Sequence, residues 1–461
     1  MSSDPIVTVN PSTGAEIAHY QPMTGQDLEA VLTGVAAAQH EWAATSVSTR
    51  AEVLRAVAAQ LRKNADDLAQ IATAEMGKPI TESVAEVEKC AWVCEYYADT
   101  SPVVLADRDV DAAGSRSWIR HEPLGVVLAI MPWNFPFWQV FRFAAPALMA
   151  GNGGLLKHSP NVTGTALAIE ELLTEAGLPR DVFRTLVIAE PDVPDVVSSL
   201  IRDDRVAAVT LTGSNRAGSH VAAAAGEAAK KSVLELGGSD PFVVLQDADL
   251  EQVVPKAVAA RFLNTGQSCL CAKRFIVHQS LAEEFGRRFA EAVAALAVGS
   301  PLDASTKIGP LARPDLADNL DRQVRESVQA GARVLTGGTA LANGPAWYAP
   351  TVLVDVTLDM PVMAEETFGP AAAVIAFDTD EEAVALANAT PYGLGASVWS
   401  ADPDRALAVG TQISSGALFI NAVTASDPRL PFGGVKQSGY GRELGEAGAT
   451  EFTNVRTVVV G

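Results

Sequence analysis

The stretch Val206-Ala207-Ala208-Val209-Thr210-Leu211-Thr212-Gly213-Ser214-Asn215-Arg216-Ala217-Gly218 decides the fold. Its apolar, β-branched first half fits a strand covered on both faces, and Gly213-Ser214 breaks it straight into a helix expected from about Arg216. The same grammar recurs outward. Gly125-Val126-Val127-Leu128-Ala129-Ile130, Gly154-Leu155-Leu156-Lys157 and Val182 to Val187 read as further buried strands, with a helix from about Thr163 to Ala176. After about residue 237 the pattern restarts with Pro241-Phe242-Val243-Val244-Leu245 and a long helix from Leu250, continuing to about 430. Strands alternating with helices specify α/β architecture, here two doubly wound α/β domains of similar size.

The flanks add detail. Residues 1 to 20 read as extended, with a turn at Asn10-Pro11-Ser12-Thr13-Gly14. Thr49-Arg50-Ala51-Glu52 has capping-box spacing ahead of the stripe Val53, Leu54, Val57 and Leu61. A helix from about Thr81 to Asp99 puts Cys90 and Cys94 on one face. With no histidine nearby they read as two small buried apolar side chains, and no metal site is read from the sequence. The β-branched run Thr453 to Val460 is suited to extend a neighbouring subunit's sheet.

Composition excludes several classes. Of 461 residues 48% are hydrophobic and 19% charged, enough apolar content for large cores and too much for a disordered chain. Lys plus Arg is 34 and Asp plus Glu 55, a net charge of −21. Such a surface repels phosphate backbones and anionic lipid, so neither nucleic acid nor membrane is an expected partner. No apolar run approaches the ~20 residues of a membrane span. Four cysteines at irregular spacings indicate a reducing, cytoplasmic setting.

Chemistry concentrates at four places. Gly213-Ser214 opens a helix whose free N–H groups attract anions, and Lys157, ending a buried strand, points toward the ligand crevice of an open sheet. Neither a Gly-x-Gly-x-x-Gly fingerprint nor a P-loop is present. Glu235, in Val233-Leu234-Glu235-Leu236-Gly237-Gly238, is an acid in an apolar stretch, and burying a bare carboxylate is costly unless it is paired, protonated or functional. Cys269, in Gly266-Gln267-Ser268-Cys269-Leu270-Cys271, stands in a small polar turn with the accessibility a nucleophile needs. Asn134, in Pro132-Trp133-Asn134-Phe135-Pro136, offers an amide donor flanked by aromatics. Read singly, each of these is as compatible with an ordinary structural residue as with a functional one.

Taken in order, these motifs resemble the aldehyde dehydrogenase superfamily. So do Glu365-Glu366-Thr367-Phe368-Gly369-Pro370 and Pro431-Phe432-Gly433-Gly434-Val435-Lys436-Gln437-Ser438-Gly439. The resemblance runs from about residue 8 to 458. It implies a Rossmann-like cofactor domain over 1–109 and 124–237 and a catalytic domain over 238–428. A small oligomerisation arm, 110–123 with 446–461, would make a homodimer or homotetramer.

In such a protein Cys269 would attack an aldehyde, Asn134 and the Cys269 N–H would hold the oxyanion, and Glu235 would activate the hydrolytic water. The implied cofactor is NAD or NADP, with Trp133, Lys157, Pro160, Gly213, Ser214, Glu366 and Phe368 around it. Pro160 stands where NAD-selective relatives often carry a glutamate, so both cofactors are expected to be usable. The short chain and Ser426-Asp427-Pro428-Arg429-Leu430-Pro431-Phe432-Gly433-Gly434 look most like bacterial succinate-semialdehyde dehydrogenases, which implies that Arg142 and Ser426 grip the substrate carboxylate. Leu263 departs from that pattern, standing where some relatives carry a second arginine.

Alternatives remain open at this stage: a dehydrogenase for another small aldehyde, a cysteine hydrolase, or a catalytically idle binding member. Cys271, two residues beyond the nucleophile, is expected to resolve an oxidised Cys269 into a reversible disulfide.

Overall fold

The computed structural model describes residues 4–461. Among them, five parallel strands and one short antiparallel strand form the first sheet. Their spatial order is Gly439–Tyr440, Lys231–Glu235, Val206–Thr212, Val126–Met131, Gly153–His158 and Phe183–Thr185. Chain order runs in opposite directions from the central pair, Val126–Met131 and Val206–Thr212. That reversal is a topological switch point, and ligands bind beyond the carboxyl ends of the strands there. The two strands deliver Pro132-Trp133-Asn134 and Gly213-Ser214 to that crevice.

Alternation explains the burial on both faces. Val127, Ala129, Leu156, Ala208 and Val233 pack into one core with the helix Trp138–Met149. Val126, Leu128, Leu155, Val209, Leu211 and Leu234 pack into another on the opposite face. Each fully buried Val or Leu contributes about 1.5–3 kcal/mol.

The second sheet, Asp240 to Ile420, has seven described strands in the order Arg333–Thr336, Thr351–Val354, Ala371–Phe377, Ala272–His278, Asp240–Val244, Gly395–Trp399 and Ala417–Ile420. Only the first pair in that order is antiparallel. A third sheet pairs Arg116–Pro123 with Thr453–Val460 in antiparallel register, from Thr453 opposite Pro123 to Val460 opposite Arg116. Thr453–Val460 thus pairs first within its own chain and forms an edge, with Val455 and Val459 exposed.

Two local expectations are corrected. The helix containing Val53 and Leu54 starts at Val47 and is capped by Ser46, whose hydroxyl accepts the Thr49 N–H at 3.1 Å, so Thr49-Arg50-Ala51-Glu52 lies inside it. The strand expected over Val182 to Val187 is only Phe183–Thr185, although Val182 and Leu186 on either side still bond to the neighbouring strand Gly153–His158. After the second sheet the chain returns to the first through Gly439–Tyr440, opposite Leu234 and Glu235. Cys90 and Cys94 are both buried as apolar fillers.

Candidate active site

The nucleophile's loop is built from strained backbone. After the helix Leu250–Phe262, three consecutive residues take left-handed conformations: Asn264 (φ 52°), Thr265 (φ 55°) and Gly266 (φ 74°). For the two non-glycines this costs roughly 1–2 kcal/mol each, so the surroundings must impose it. They do. The Glu82 carboxylate accepts the Asn264 N–H at 2.6 Å, Thr265 Oγ1 accepts the Gly309 N–H at 3.1 Å, and Gln267 Oε1 accepts the Ala312 N–H at 2.9 Å. Arg261, fully buried, donates to the carbonyls of Gly266 (3.2 Å), Thr367 (3.2 Å) and Ala371 (2.5 Å). The cysteine loop and the Glu366-Thr367-Phe368 segment are thereby one unit.

Cys269 ends this loop, half-buried, at the amino end of the strand Ala272–His278. Its carbonyl accepts Lys273 Nζ at 2.9 Å, and a β-carbon on Gly238 would lie 2.6 Å from that same oxygen. Glycine is required there by the close approach. Burial pushes the Cys269 thiol up to about 12, against the pull of Arg142 and Lys273. Burial thus favours the neutral thiol in the resting side chain. Cys271 is buried, its Sγ 3.8 Å from the Leu263 carbonyl, and both thiols are free.

Asn134 joins this loop directly. Its Nδ2 donates to the Gln267 carbonyl at 3.1 Å, and its own carbonyl accepts Asn264 Nδ2 at 2.7 Å. A primary amide has two N–H groups, so one remains to serve an oxyanion. The segment is pinned from behind. Glu86 Oε1 accepts the N–H groups of Phe137 (2.8 Å) and Trp138 (2.9 Å), capping a helix that has no side-chain cap of its own. The other Glu86 oxygen pairs with Lys78, whose ammonium lies 3.9 Å from the Phe135 ring centre. His158 Nε2 lies 2.9 Å from the Pro136 carbonyl while its Nδ1 accepts the Ser159 N–H. That assigns the proton to Nε2 and fastens the loop to the Gly153–His158 strand.

Glu235 is the last residue of its strand, 2% exposed, and neither carboxylate oxygen has a hydrogen-bond partner among the described residues. Gly433, at φ +154°, makes room for it: a β-carbon there would lie 2.9 Å from Oε1. Burial and the neighbouring Glu443 hold the Glu235 carboxyl well above the usual range, opposed by Arg142 and Arg442. No hydrogen bond joins Glu235 to Cys269.

A cavity of about 120 Å³ opens onto Cys269, lined by Lys89, Phe135, Trp138, Arg142, Leu263 and Ser426 among others. Arg142 lies in it, but the guanidinium is ion-paired with buried Glu443, donates to Thr212 Oγ1 at 3.2 Å and lies 4.6 Å from the Phe432 ring centre. The sequence places a free arginine at the substrate carboxylate, whereas here it already has a carboxylate partner. Lys89, which the sequence reading passed over, donates from Nζ to Ser426 Oγ at 2.8 Å. A larger groove of about 960 Å³ lies on the helix Gln279–Ala294, remote from Cys269.

The residues at the other end fit a dinucleotide. A groove of about 630 Å³ runs between Ser159-Pro160-Asn161 and Ala189-Glu190-Pro191. Lys157 is the penultimate residue of the adjacent strand Gly153–His158, and burial lowers its ammonium to about 8 while Glu190 raises it. Ser214 caps the helix Asn215–Glu227, accepting the Ala217 N–H, and Gly213 donates to the Glu235 carbonyl at 2.9 Å. Trp133 and Phe368 meet edge-on at 5.7 Å. Glu366 Oε1 accepts Lys273 Nζ at 3.0 Å and the Gly238 N–H at 3.1 Å. One expectation changes: the groove does hold an acid, since Glu190 arrives from the turn Glu190–Asp192 although Pro160 is not one. Among the described residues, no group of three or more His, Cys, Asp or Glu could hold a metal, and no helix is long and apolar enough to cross a membrane.

A thiol on a strained loop, an amide donor beside it, a buried base and a dinucleotide groove at a switch point define a cysteine-dependent dehydrogenase. The chain belongs to the aldehyde dehydrogenase family, whose profile it matches over residues 1–458. It is 50% identical over 98% of its length to a Synechocystis protein named probable succinate-semialdehyde dehydrogenase (NADP(+)), covering 99% of that protein. It is 46% identical, over 98% of this chain and 97% of the other, to the Escherichia coli succinate semialdehyde dehydrogenase (NAD(P)+) Sad. The fold superposes on succinic semialdehyde dehydrogenase from Streptococcus pyogenes, solved with NADP+, at TM-score 0.95 and 36% identity, covering 99% of each chain.

Proposed function

We propose that the protein oxidises succinate semialdehyde to succinate with NAD or NADP as hydride acceptor. The observation that carries this reading is the single cavity shared by Cys269, Lys89, Arg142 and Ser426, which joins a nucleophile to a cationic wall suited to an aldehyde bearing a carboxylate. The names of the relatives support the same substrate.

Cys269 Sγ adds to the aldehyde carbon, forming a C–S bond, and its proton is lost toward the Glu235 side, the nearby carboxylate that burial makes basic enough to take it. The carbonyl oxygen becomes an oxyanion held by Asn134 Nδ2–H and the Cys269 N–H. The bound nicotinamide cofactor supplies the acceptor for the hydride leaving that carbon. A thioester remains on Cys269; Glu235, once it has released the thiol's proton to solvent, takes a proton from the water that attacks the thioester and gives it to the departing Cys269 sulfur, returning thiol and carboxylic acid. Lys157 and Ser214 would hold the cofactor's ribose and pyrophosphate, and Glu366 the second ribose.

The arm 110–123 with 446–461 joins copies into a homodimer or homotetramer through its exposed Val455 edge, and the free thiols suit the cytoplasm. Val455→Lys with Val459→Lys should lower the mass seen by light scattering. The function is tested by steady-state reduction of NAD and NADP with succinate semialdehyde and with butanal, for the unaltered protein and for Cys269→Ser. Saturable turnover that prefers succinate semialdehyde and vanishes in the variant is expected. Comparable activity of Cys269→Ser, or no cofactor reduction with any aldehyde, overturns the reading.

A further inference from the structure

The cationic wall of the Cys269 cavity contains two side chains with formal positive charge, and they differ in what they already hold. Arg142 is paired with Glu443. Lys89, on the helix Ile80–Val104, takes part in no ion pair among the described residues. Its Nζ donates to Ser426 Oγ at 2.8 Å and lies 4.4 Å from the centre of the Trp138 ring, and both of those residues line the cavity with it. Glu86 also lines the cavity, but its oxygens are taken by Lys78 and by the N–H groups of Phe137 and Trp138. The lysine therefore faces the cavity without a counter-ion. A largely buried charge left in that state is costly, and an incoming carboxylate relieves the cost.

The donor arithmetic points the same way. An ammonium has three N–H donors, of which Ser426 takes one. Ser426 Oγ accepts from Lys89, so its own hydroxyl proton is left to give. Two adjacent groups, one cationic, thus present donors toward one small space. That pairing matches the two oxygens of a carboxylate and gives charge-assisted hydrogen bonds. It also accounts for Leu263 at a position that needs no second arginine.

We propose that Lys89, with Ser426, seats the carboxylate at the far end of the aldehyde substrate and so sets the preference for an anionic aldehyde over an uncharged one of equal length. The assignment rests on the dehydrogenase reading above and deepens it. Burial lowers the Lys89 ammonium to about 8, with Arg142 on the helix Trp138–Met149 adding to that effect. Cys90 and Glu86 of its own helix and Asp427 of the loop beside it oppose it. At neutral pH the side chain is still mostly charged, and above about 8 the seat loses its cation.

The test compares kcat/KM for succinate semialdehyde and butanal in the unaltered protein, Lys89→Met and Lys89→Arg, with thermal melts as a check on folding. Losing a hydrogen bond to a charged group corresponds to about a tenfold to hundredfold change. The preference for succinate semialdehyde should fall by that factor in Lys89→Met, through KM, and return in large part in Lys89→Arg. KM for succinate semialdehyde in the unaltered protein should rise as pH passes about 8, with no such rise for butanal. A Lys89→Met protein that keeps its preference within threefold, or loses both activities in equal proportion, overturns the assignment. A flat KM profile for succinate semialdehyde across that range overturns it even if the variants do not fold. If the unaltered protein shows no preference for succinate semialdehyde, the proposed function itself falls; a preference retained without Lys89 removes only this assignment.

Discussion

Glu443 forms a buried ion pair with Arg142, which lines the substrate cavity, and both members of the pair act on the buried base Glu235. Arg142 lowers, and Glu443 raises, the proton affinity of Glu235. The arginine's first effect is therefore on the base and on the packing around Phe432, before any effect on substrate.

Arg142→Met should leave Glu443 buried without its partner, which costs about 3–5 kcal/mol when one member of such a pair is removed. The urea midpoint should fall, and turnover of charged and uncharged aldehydes should drop together. Adding Glu443→Gln should recover part of the stability. A loss confined to KM for succinate semialdehyde would instead make Arg142 a direct carboxylate ligand, as the sequence alone implies.

The elevated Glu235 carboxyl gives deacylation a pH dependence with a definite sign. The carboxylate is the active form, so raising its pKa withholds the base at low pH. kcat should climb as pH rises through the neutral range and level off once the group is ionised. Glu235→Gln should abolish that climb and let the thioester accumulate on Cys269, visible as a mass increase of the intact protein. An unchanged pH profile in Glu235→Gln would assign the base elsewhere.

Cys269 and Cys271 make a paired test. A thiol held near 12 carries little thiolate at neutral pH. Alkylation of Cys269 by iodoacetamide, without cofactor, should therefore speed up steadily from pH 7 to 10 with no plateau. A plateau below pH 8 would mean a resting thiolate. Peroxide should inactivate the protein slowly, with recovery in dithiothreitol that depends on Cys271. Equal recovery in Cys271→Ala would leave Cys271 as a packing residue.

What the sequence showed and what it hid separate along one physical line. Strand-and-turn grammar is local, so the parallel strands, Gly213-Ser214 and the polar turn at Cys269 are legible, although folding buries most of that turn. Glu235 was legible because an acid in an apolar run breaks its surroundings. Lys89 breaks nothing locally: it looks like any lysine on an amphipathic helix, and only folding sets it against Ser426 and Trp138. The same holds for Glu86 capping another helix, for Glu443 meeting Arg142, and for Glu190 arriving beside Lys157. The Thr49 capping spacing misled because Ser46 offered an equivalent hydroxyl three residues earlier.

Glu190 sets up the cofactor prediction. Its carboxylate lines a groove with Pro160, Arg313 and Asp315 and acts on the adjacent Lys157, so a 2′-phosphate entering there meets anions as well as cations. Removing the Glu190 anion should favour NADP. Glu190→Gln is expected to lower KM for NADP several-fold while moving KM for NAD less. Pro160→Glu should act oppositely, adding a like-charge contact of on the order of 1–3 kcal/mol against the 2′-phosphate where it is partly desolvated. Steady-state KM values for both cofactors at fixed ionic strength measure the shift, and raising the salt should shrink it because this groove is open to solvent. Equal changes for NAD and NADP in both variants would place the ribose 2′ position away from residues 160 and 190.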